Sequence, residues 1–548
     1  MKKKISIVSS SFLLPTNSSW SSITKDYSLY FNDFRNYSEI LKNKKNSDYF
    51  FFNFFLEDLL ENNKKILPNK LISNLGDLIT SALEKNSFNL VLSYSTWKKD
   101  NFFSSINDNK NDRSILFKIS NTFNKIAKKF PNFYYFNIDN EFTKFGMEKC
   151  FETRNWYLSR CRLSIFGLDI LCKSYFRILE KIAKPSKKVL ILDCDNTLWG
   201  GVLGEDGISG IKIGSDGEGM IFKDFQHQIK LLLKQGILLC ICSKNNEEDV
   251  LKVFQNHKEM VLKKKDITNF KVNWNEKYKN IKEIANELSL AVSSFVFWDD
   301  DPIEREKAKL NLPSLEVVNC SENIEDWIDQ LINYDSIRKI KISKKELKKT
   351  QQYKIRSKFI ENSRKFKNEK DYLKSINLRT KKIKINSSNI VRASQMCMKT
   401  NQFNNNLERL TESDILKINK DKKNEIFLFD LKDIYGDHGI VGLVIYEILE
   451  EYIFIKNFLI SCRVLGRSLE NWVLGQIKEL AIKKDIKKIL INFEDKKKNN
   501  VAELFLANSG FTKINKSKYS NNLKKYKLSS LQSININNID NSYKNIYS

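Results

Sequence analysis

Acidic residues stand in this chain where phosphate chemistry could use them. Asp193 and Asp195 are separated by one residue and directly follow the apolar run Val189–Leu192, so two carboxylates at one strand end can face a single phosphate. Asp299 and Asp300 follow a second apolar run, Phe295–Trp298. An adjacent acidic pair offers the hard oxygen ligands that magnesium prefers. Between the two lie Ser243, just after the apolar run 237–242, and Lys277, whose ammonium can offset charge gathered by carboxylates and phosphate. Singly, each has an ordinary explanation. A lone D-x-D is common in turns, Ser243 could cap a helix beginning near Glu247, Lys277 could be a surface lysine with Lys279 in its place, and residues 299–301 could be a turn. The order sets them apart, because three of the four elements come directly after an apolar strand.

Such residues need a scaffold that aims them at one point. From Lys187 onward strands alternate with helices predicted over 222–233, 247–254 and 278–288. This alternation predicts an α/β fold with a parallel sheet, helices on both faces and ligands at the carboxyl ends of the strands. The distance from Thr197 to Ser243 accommodates a glycine-rich flap, one helix and one strand but no inserted cap, and Ser243 to Lys277 leaves no room either. The site should therefore be open, which suits a large partner or a long prosthetic arm.

The remaining chain sets the context. Its 548 residues call for several domains. We divide it into an N-terminal α/β domain (1–150), a helical connector (151–186) with one helix over 156–183, the central domain (187–342), a charged helical linker (343–377), an α+β domain (378–525) and a disordered tail (526–548). Cys150, Cys161 and Cys172 recur every eleven residues, as on one buried helix face. The net charge of +27 comes from lysines scattered over the whole length, so nucleic acid is not an expected partner, although a basic surface can steer an acidic one. No apolar stretch is long enough to span a bilayer, and nine cysteines without C-x-x-C pairs suit a reducing cytoplasm.

The segment Asp193-Cys194-Asp195-Asn196-Thr197 matches the D-x-D-x-T signature of haloacid dehalogenase superfamily phosphotransferases. That resemblance implies a magnesium-dependent enzyme in which Asp193 is the nucleophile and Asp195 the acid and base. It also implies that Ser243 binds a phosphate oxygen, that Lys277 balances charge, and that Asp193, Asp195, Asp299 and Asp300 hold Mg2+. The longer stretch 192–207, with Leu198-Trp199-Gly200-Gly201, is similar to the FkbH-like family. The similarity continues through Cys242-Ser243-Lys244-Asn245, Asn273-Trp274-Asn275-Glu276-Lys277, Asp299 to Glu306, Thr400-Asn401-Gln402-Phe403-Asn404 and Ser461 to Arg467, and so covers roughly residues 150–515. The family usually has Asn where this chain has Asp301. Residues 1–150 loosely resemble the SGNH-hydrolase-like domain of some relatives.

The FkbH-like resemblance implies removal of phosphate from an acyl phosphate such as 1,3-bisphosphoglycerate and delivery of the glyceryl group, as a thioester, to the phosphopantetheine arm of an acyl carrier protein. The turn Arg463-Val464-Leu465-Gly466-Arg467-Ser468 approximates the R-x-x-G-x-G/A turn with which acetyltransferase-like folds cradle a pantetheine phosphate, so Arg463, Gly466 and Arg467 are the expected cofactor contacts. Ser468 stands where that turn has Gly or Ala. Cys462, beside Arg463, is the candidate acyl thiol; Cys194 is the other, although strand alternation points it away from its neighbours. His438 could be an acyl-transfer base or simply a turn residue. The rival functions are a magnesium-dependent phosphatase of sugar or surface-polysaccharide synthesis, and a basic scaffold or nucleic-acid-binding protein with a vestigial site.

Overall fold

The computed structural model describes every residue except 1, 35–36, 44–46, 62, 98–109, 343, 422, 497–498, 516–522, 524–529, 541–545 and 548. It divides into two compact units, Met1–Pro185 and Ser186–Ser548.

The first unit is a five-stranded parallel sheet. Its strands are β1 (Lys3–Ser9), β2 (Tyr27–Asn32), β3 (Tyr49–Phe55), β4 (Asn89–Ser95) and β5 (Phe133–Asn137), in the order β2-β1-β3-β4-β5. The aromatic run of β3 is buried on both faces, as expected for a central parallel strand. Helices Pro68–Lys85 and Lys110–Lys129 cover one face, and Ile165–Ala183 covers the other, where Tyr175 stacks on Phe51 with centroids 4.2 Å apart. The expected connector is thus part of this unit's core. The single helix expected over 156–183 is in fact two, Thr153–Ser159 and Ile165–Ala183, because Arg160 turns left-handed (φ 58°). Arg162 in the break is pinned by Asp58 (2.5 Å) and Glu57 (2.6 Å). Cys150, Cys161 and Cys172 are buried in this core but sit on a short 3-10 turn, in the loop between two helices and on helix Ile165–Ala183, rather than on one helix face.

The second unit opens with β6 (Val189–Leu192), β7 (Leu238–Ser243), β8 (Ile267–Val272), β9 (Phe295–Trp298) and β10 (Glu316–Val317). All run parallel in the order β10-β9-β6-β7-β8, which places β6 at the centre and brings the ends of β6 and β9 side by side. Strand β8, absent from the sequence reading, forms one edge. Between Thr197 and β7 lie only the flap with helix Leu203–Gly210 and helix Gly217–Lys234.

The C-terminal part is an eight-stranded, mostly antiparallel sheet. It comprises β11 (Lys382–Lys384), β12 (Phe403–Asn404), β13 (Asn424–Asp433), β14 (Gly436–Ile448), β15 (Tyr452–Ile460), β16 (Lys488–Phe493), β17 (Thr512–Lys513) and β18 (Ser530–Asn535). Strand β18 pairs with β16 on one side and β17 on the other, so part of the expected disordered tail completes the sheet. Leu531 and Ile534, three apart and so on opposite faces of the strand, bury in two different clusters against neighbours far away in sequence, which no local pattern announces. Residues 526–529, 541–545 and 548 lie outside the described residues.

Helix Lys344–Ser363 was expected to be a solvated linker. Instead its outer half is a structural wedge: Tyr353 packs on the central core, Phe359 enters the C-terminal core, and Ser357 accepts a hydrogen bond from Asn269 of β8 (3.1 Å). Its lysines disguise a stripe of buried residues. Among the described residues, no helix is long and apolar enough to cross a membrane.

Candidate active site

The carboxyl ends of β6 and β9 converge on a buried polar cluster. Asp193 follows β6 directly, and its N–H donates to Trp298 O of β9 (3.2 Å), which locks the two strand tips together. Asn196 takes a left-handed conformation (φ 49°), so the chain turns sharply and Thr197 N–H reaches back to Cys194 O (3.2 Å). Thr197 then donates its hydroxyl to Asp300 Oδ1 (3.0 Å), which orients the second acid of the acidic pair.

Lys277, the first residue of helix Lys277–Leu288, reaches into the cluster. Its Nζ lies 2.7 Å from Asp299 Oδ2 and 3.1 Å from Asp193 Oδ1. Burial works against its charge, yet Asp193 and Asp299 together hold the ammonium above the ordinary lysine range. Burial and then Asp193 push Asp299 upward, against Lys277. The same two causes push Asp300 up to about 6. Arg305 clamps the loop beneath them by donating to Asp299 O and Asp300 O, both at 2.7 Å.

Asp193, Asp299 and Asp300 each present a carboxylate oxygen within 4.8 Å of the others. One ammonium faces three carboxylates, and the buried Asp193 Oδ1 lacks an aligned hydrogen bond even though Lys277 is close. A hard divalent cation such as Mg2+ matches both the all-oxygen donor set and the uncompensated charge. Asp195, expected among the metal ligands, turns its carboxylate away from these three. Oδ1 accepts from Trp199 Nε1 (2.9 Å) and Leu203 N (3.1 Å), and Oδ2 from Asn245 Nδ2 (2.9 Å). Burial raises its pKa against these donors. The sequence reading missed Thr197, Asn245 and Arg305 as positioning residues; the four-residue step from Asp195 to Trp199 was the signal available.

Ser243 ends β7, next to β6, and is buried. Cys194 lies wholly in the core beside Leu190 and Leu192, and burial holds its thiol well above the usual range, so it offers no nucleophile.

The C-terminal candidates are not brought to this centre. Cys462 and Arg463 line a cavity shared with Ser289, just beyond the far end of the helix that starts at Lys277. That helix has 12 residues, so it separates the two places by about 17 Å at 1.5 Å per residue. Arg467, expected at a phosphate, points inward instead. It is fully buried, pairs with Asp433 Oδ2 (2.8 Å) and lies 4.0 Å over the Phe359 ring. His438 Nε2 is 3.0 Å from the other Asp433 oxygen, which makes this histidine a partner of the same buried carboxylate. Gly466 takes the left-handed turn (φ 85°) that starts helix Leu469–Lys483. At that helix start Ser468 Oγ donates to Glu369 (3.3 Å), and burial together with Glu369 pushes Glu470 up to about 7. Two carboxylates there oppose the anion cradle expected at this turn.

In the first unit, Ser95 and Thr96 hold Asp139, and Asn53 links Ser9 to Ser93. The chain's three histidines, His227, His257 and His438, all lie in the second unit, so the first has no histidine for a Ser-His catalytic pair of its own.

No protein-family model matches the chain. No curated protein matches it significantly. Among solved structures it is similar to the N-terminal part of the protein BF1531 from Bacteroides fragilis, which contains a phosphatase domain and was solved in complex with Mg. The identity is 27%, the alignment covers 62% of this chain and 95% of that one, and the TM-score is 0.53. That share is about twice what residues 187–342 alone could supply. Shorter likenesses, each over 29% of this chain, run to the ribosomal-protein-S18-alanine N-acetyltransferase of Escherichia coli (11% identity, 94% of that chain, TM-score 0.22) and to a GNAT-family acetyltransferase of Staphylococcus aureus Mu50 (15%, 99%, 0.24). The protein is thus a mixed α/β molecule with parallel sheets, similar over most of its length to a structure that contains a phosphatase domain.

Proposed function

We propose that the second unit dephosphorylates an acyl phosphate such as 1,3-bisphosphoglycerate and passes the glyceryl group to the phosphopantetheine thiol of an acyl carrier protein, as the FkbH-like resemblance implies. The observation that carries the phosphoryl-transfer half is the buried cluster of Asp193, Asp299 and Asp300 around Lys277 at the tips of β6 and β9.

In this reading an Asp193 oxygen attacks the phosphorus of the substrate's ester phosphate, so the acyl phosphate at the other end stays intact for the acyl step. The bond from phosphorus to the leaving alcohol oxygen breaks, and Asp195 gives that oxygen its proton. Its raised pKa suits a group that must hold a proton before giving it. Asp195 then takes a proton from water, which attacks the aspartyl-phosphate, releases phosphate and restores Asp193. Ser243 binds a phosphate oxygen, and Lys277 balances charge on Asp193 and the phosphoryl oxygens. Magnesium, held by Asp193, Asp299 and Asp300, supplies a Lewis acid that offsets the phosphate charge. In the acyl step a pantetheine thiolate attacks the acyl carbon, the C–S bond forms, and phosphate leaves with the electron pair of the broken C–O bond. The short flap without a cap supports access by a carrier-borne arm.

A plain magnesium-dependent phosphatase of sugar or surface-polysaccharide synthesis is the second reading. It is favoured by the distance of Cys462, the half-exposed candidate thiol, from Asp193. One experiment separates the two. The full chain is incubated with Mg2+, 1,3-bisphosphoglycerate and a panel of holo carrier proteins, and products are weighed intact. A glyceryl adduct on a carrier supports acyl transfer, whereas phosphate release with no adduct on any carrier leaves the phosphatase.

A further inference from the structure

Strand β8 is the open edge of the central parallel sheet: β7 pairs with it on one side, and among the described residues no strand pairs with it on the other. A cavity of about 640 Å3 follows that open side, and all six residues of β8 line it. Asn269 and Lys271 reach Glu287 on one face of the strand, whereas Phe270 between them packs on Phe254 on the other, with centroids 5.5 Å apart. A single cavity that touches all of them must run along the backbone edge itself. Six extended residues span about 20 Å at about 3.3 Å each, so the cavity is an elongated groove. Helix Glu247–Asn256 forms one bank and helix Lys344–Ser363 the other.

The floor of this groove is incomplete. An edge strand directs unpaired N–H and C=O groups outward, and natural proteins often blunt it with charges on the strand. The one charge on β8, Lys271, is held by Glu283 (2.5 Å) and Glu287 (2.8 Å). Asn269 donates Nδ2 to Glu287 (2.6 Å) and to Ser357 Oγ (3.1 Å), but its buried Oδ1 has no hydrogen-bond partner. The buried Thr268 hydroxyl has none either. Thr268 and Asn269 are only 7% and 6% exposed, and polar groups so deeply buried are nearly always hydrogen-bonded.

The walls are basic. Of the nine charged side chains that line the groove six are Lys or Arg, which selects for acidic partners. Glu287 is spent on Lys271 and Arg364. Lys354 points at the main-chain carbonyls of Lys265 (3.5 Å) and Asp266 (3.4 Å), and the Asp266 carboxylate that acts on it is shared with Lys230 (3.6 Å). Lys264, Lys265 and Lys358 are exposed and form no ion pair among the described residues; the acids left in the walls are Glu247 and Glu361.

We infer that the outer edge of β8 is a docking groove for an extended acidic segment of a partner protein, which adds to the central sheet as a sixth strand and sets its carboxylates against Lys264, Lys265, Lys354 and Lys358. Strand addition draws affinity from main-chain hydrogen bonds and specificity from side chains on the banks. A nucleic acid would meet the same lysines but leave the strand's amides unused. None of the aspartates of the phosphoryl-transfer centre lines the groove, so the inference stands apart from that reading.

The test pans a phage-displayed library of random 12-residue peptides against the full chain without Mg2+, then measures synthetic copies of the selected peptides by fluorescence polarisation. Selected sequences should be rich in Asp, Glu and β-branched residues and lack proline across the paired stretch, because proline cannot donate to the edge. Binding should slow amide exchange in residues 267–272. N-methylation of the peptide at alternate positions should abolish binding in one register and spare it in the other, with charge unchanged. Lys264→Glu combined with Lys358→Glu, both at exposed positions, should weaken binding about tenfold or more while circular dichroism stays the same. Selection of basic or proline-rich sequences, protection elsewhere in the chain, or tolerance of N-methylation at every position would overturn the proposal. So would displacement of the peptide by polyuridylate of equal charge at equal concentration, which assigns the lysines to RNA. Concentration-dependent protection of 267–272 in the chain alone would assign the edge to a second copy. A library that yields no binder protecting 267–272 rejects the groove.

Discussion

Lys277 is the residue on which the central cluster balances. Removing its ammonium leaves Asp193 and Asp299 buried side by side, so Lys277→Met should destabilise the metal-free chain by about 3 kcal/mol at pH 8. The loss should shrink toward pH 5 as Asp299, already pushed upward by burial, takes up a proton, which urea unfolding at the two pH values would measure. Asp193→Asn should lower magnesium-dependent phosphate release by about a thousandfold or more while leaving the fold intact, as judged by circular dichroism. Asp300 sets a pH window. Its pKa in the folded chain is about 6, above the ordinary carboxylate value, so the folded form holds this proton more tightly than the unfolded one. The stability it contributes is therefore complete below the ordinary carboxylate range and is lost as pH rises through about 6. Metal-free protein should melt at lower temperature at pH 7 than at pH 5. Mg2+, which needs the ionised form, should restore more at pH 7, and calorimetric scans with and without Mg2+ would show a constant increment if the idea were wrong.

At the scale of elements, the strand pair β13 and β14 shows how closely these sheets are packed. Gly442 lies opposite Phe429, and a Cβ on Gly442 would fall 1.8 Å from the ring. The aromatic ring occupies the space that a side chain would need, so Gly442→Ala should cost about 2 to 3 kcal/mol, readable as a shift of the denaturant midpoint. Helix Lys344–Ser363 carries a different message. Its sequence is charged enough to read as a linker, yet Arg356, Ser357 and Phe359 are buried and join central and C-terminal parts. A helix can serve two cores with a few residues per turn, and composition averages them away. The two-segment helix around Arg160 was lost to the same averaging, because one residue in a left-handed conformation ends a helix whose flanks both look helical.

For the molecule as a whole, the apolar cores respect the division at Pro185. The clusters built on β3 and β4 contain only residues of the first unit, whereas the wedge helix contributes to both the central and C-terminal cores. Residues 1–185 expressed alone should therefore unfold cooperatively. Residues 186–342, deprived of Tyr353 and of the Ser357 contact to β8, should be markedly less stable than 186–548, as measured by limited proteolysis and thermal melts. Equal resistance of the two fragments would show that the wedge is dispensable to the central core.

The strand tips and their acids were legible because the information is local. A buried strand is a short apolar run, the residue after it sits at the sheet's carboxyl edge, and βα alternation makes the strands parallel, so Asp193 and Asp299 had to emerge on one side. Convergence was decided only in three dimensions. Asp195 turns to Trp199 and Asn245 rather than to the acidic cluster, Arg467 is consumed by Asp433, and β18 returns from the chain's end to complete a sheet. Arg356, Arg392 and Arg463 meet only because packing brings distant segments together. Periodicity reports which way a side chain faces its own element, while the partner it meets depends on closure of long loops that no short window of residues encodes.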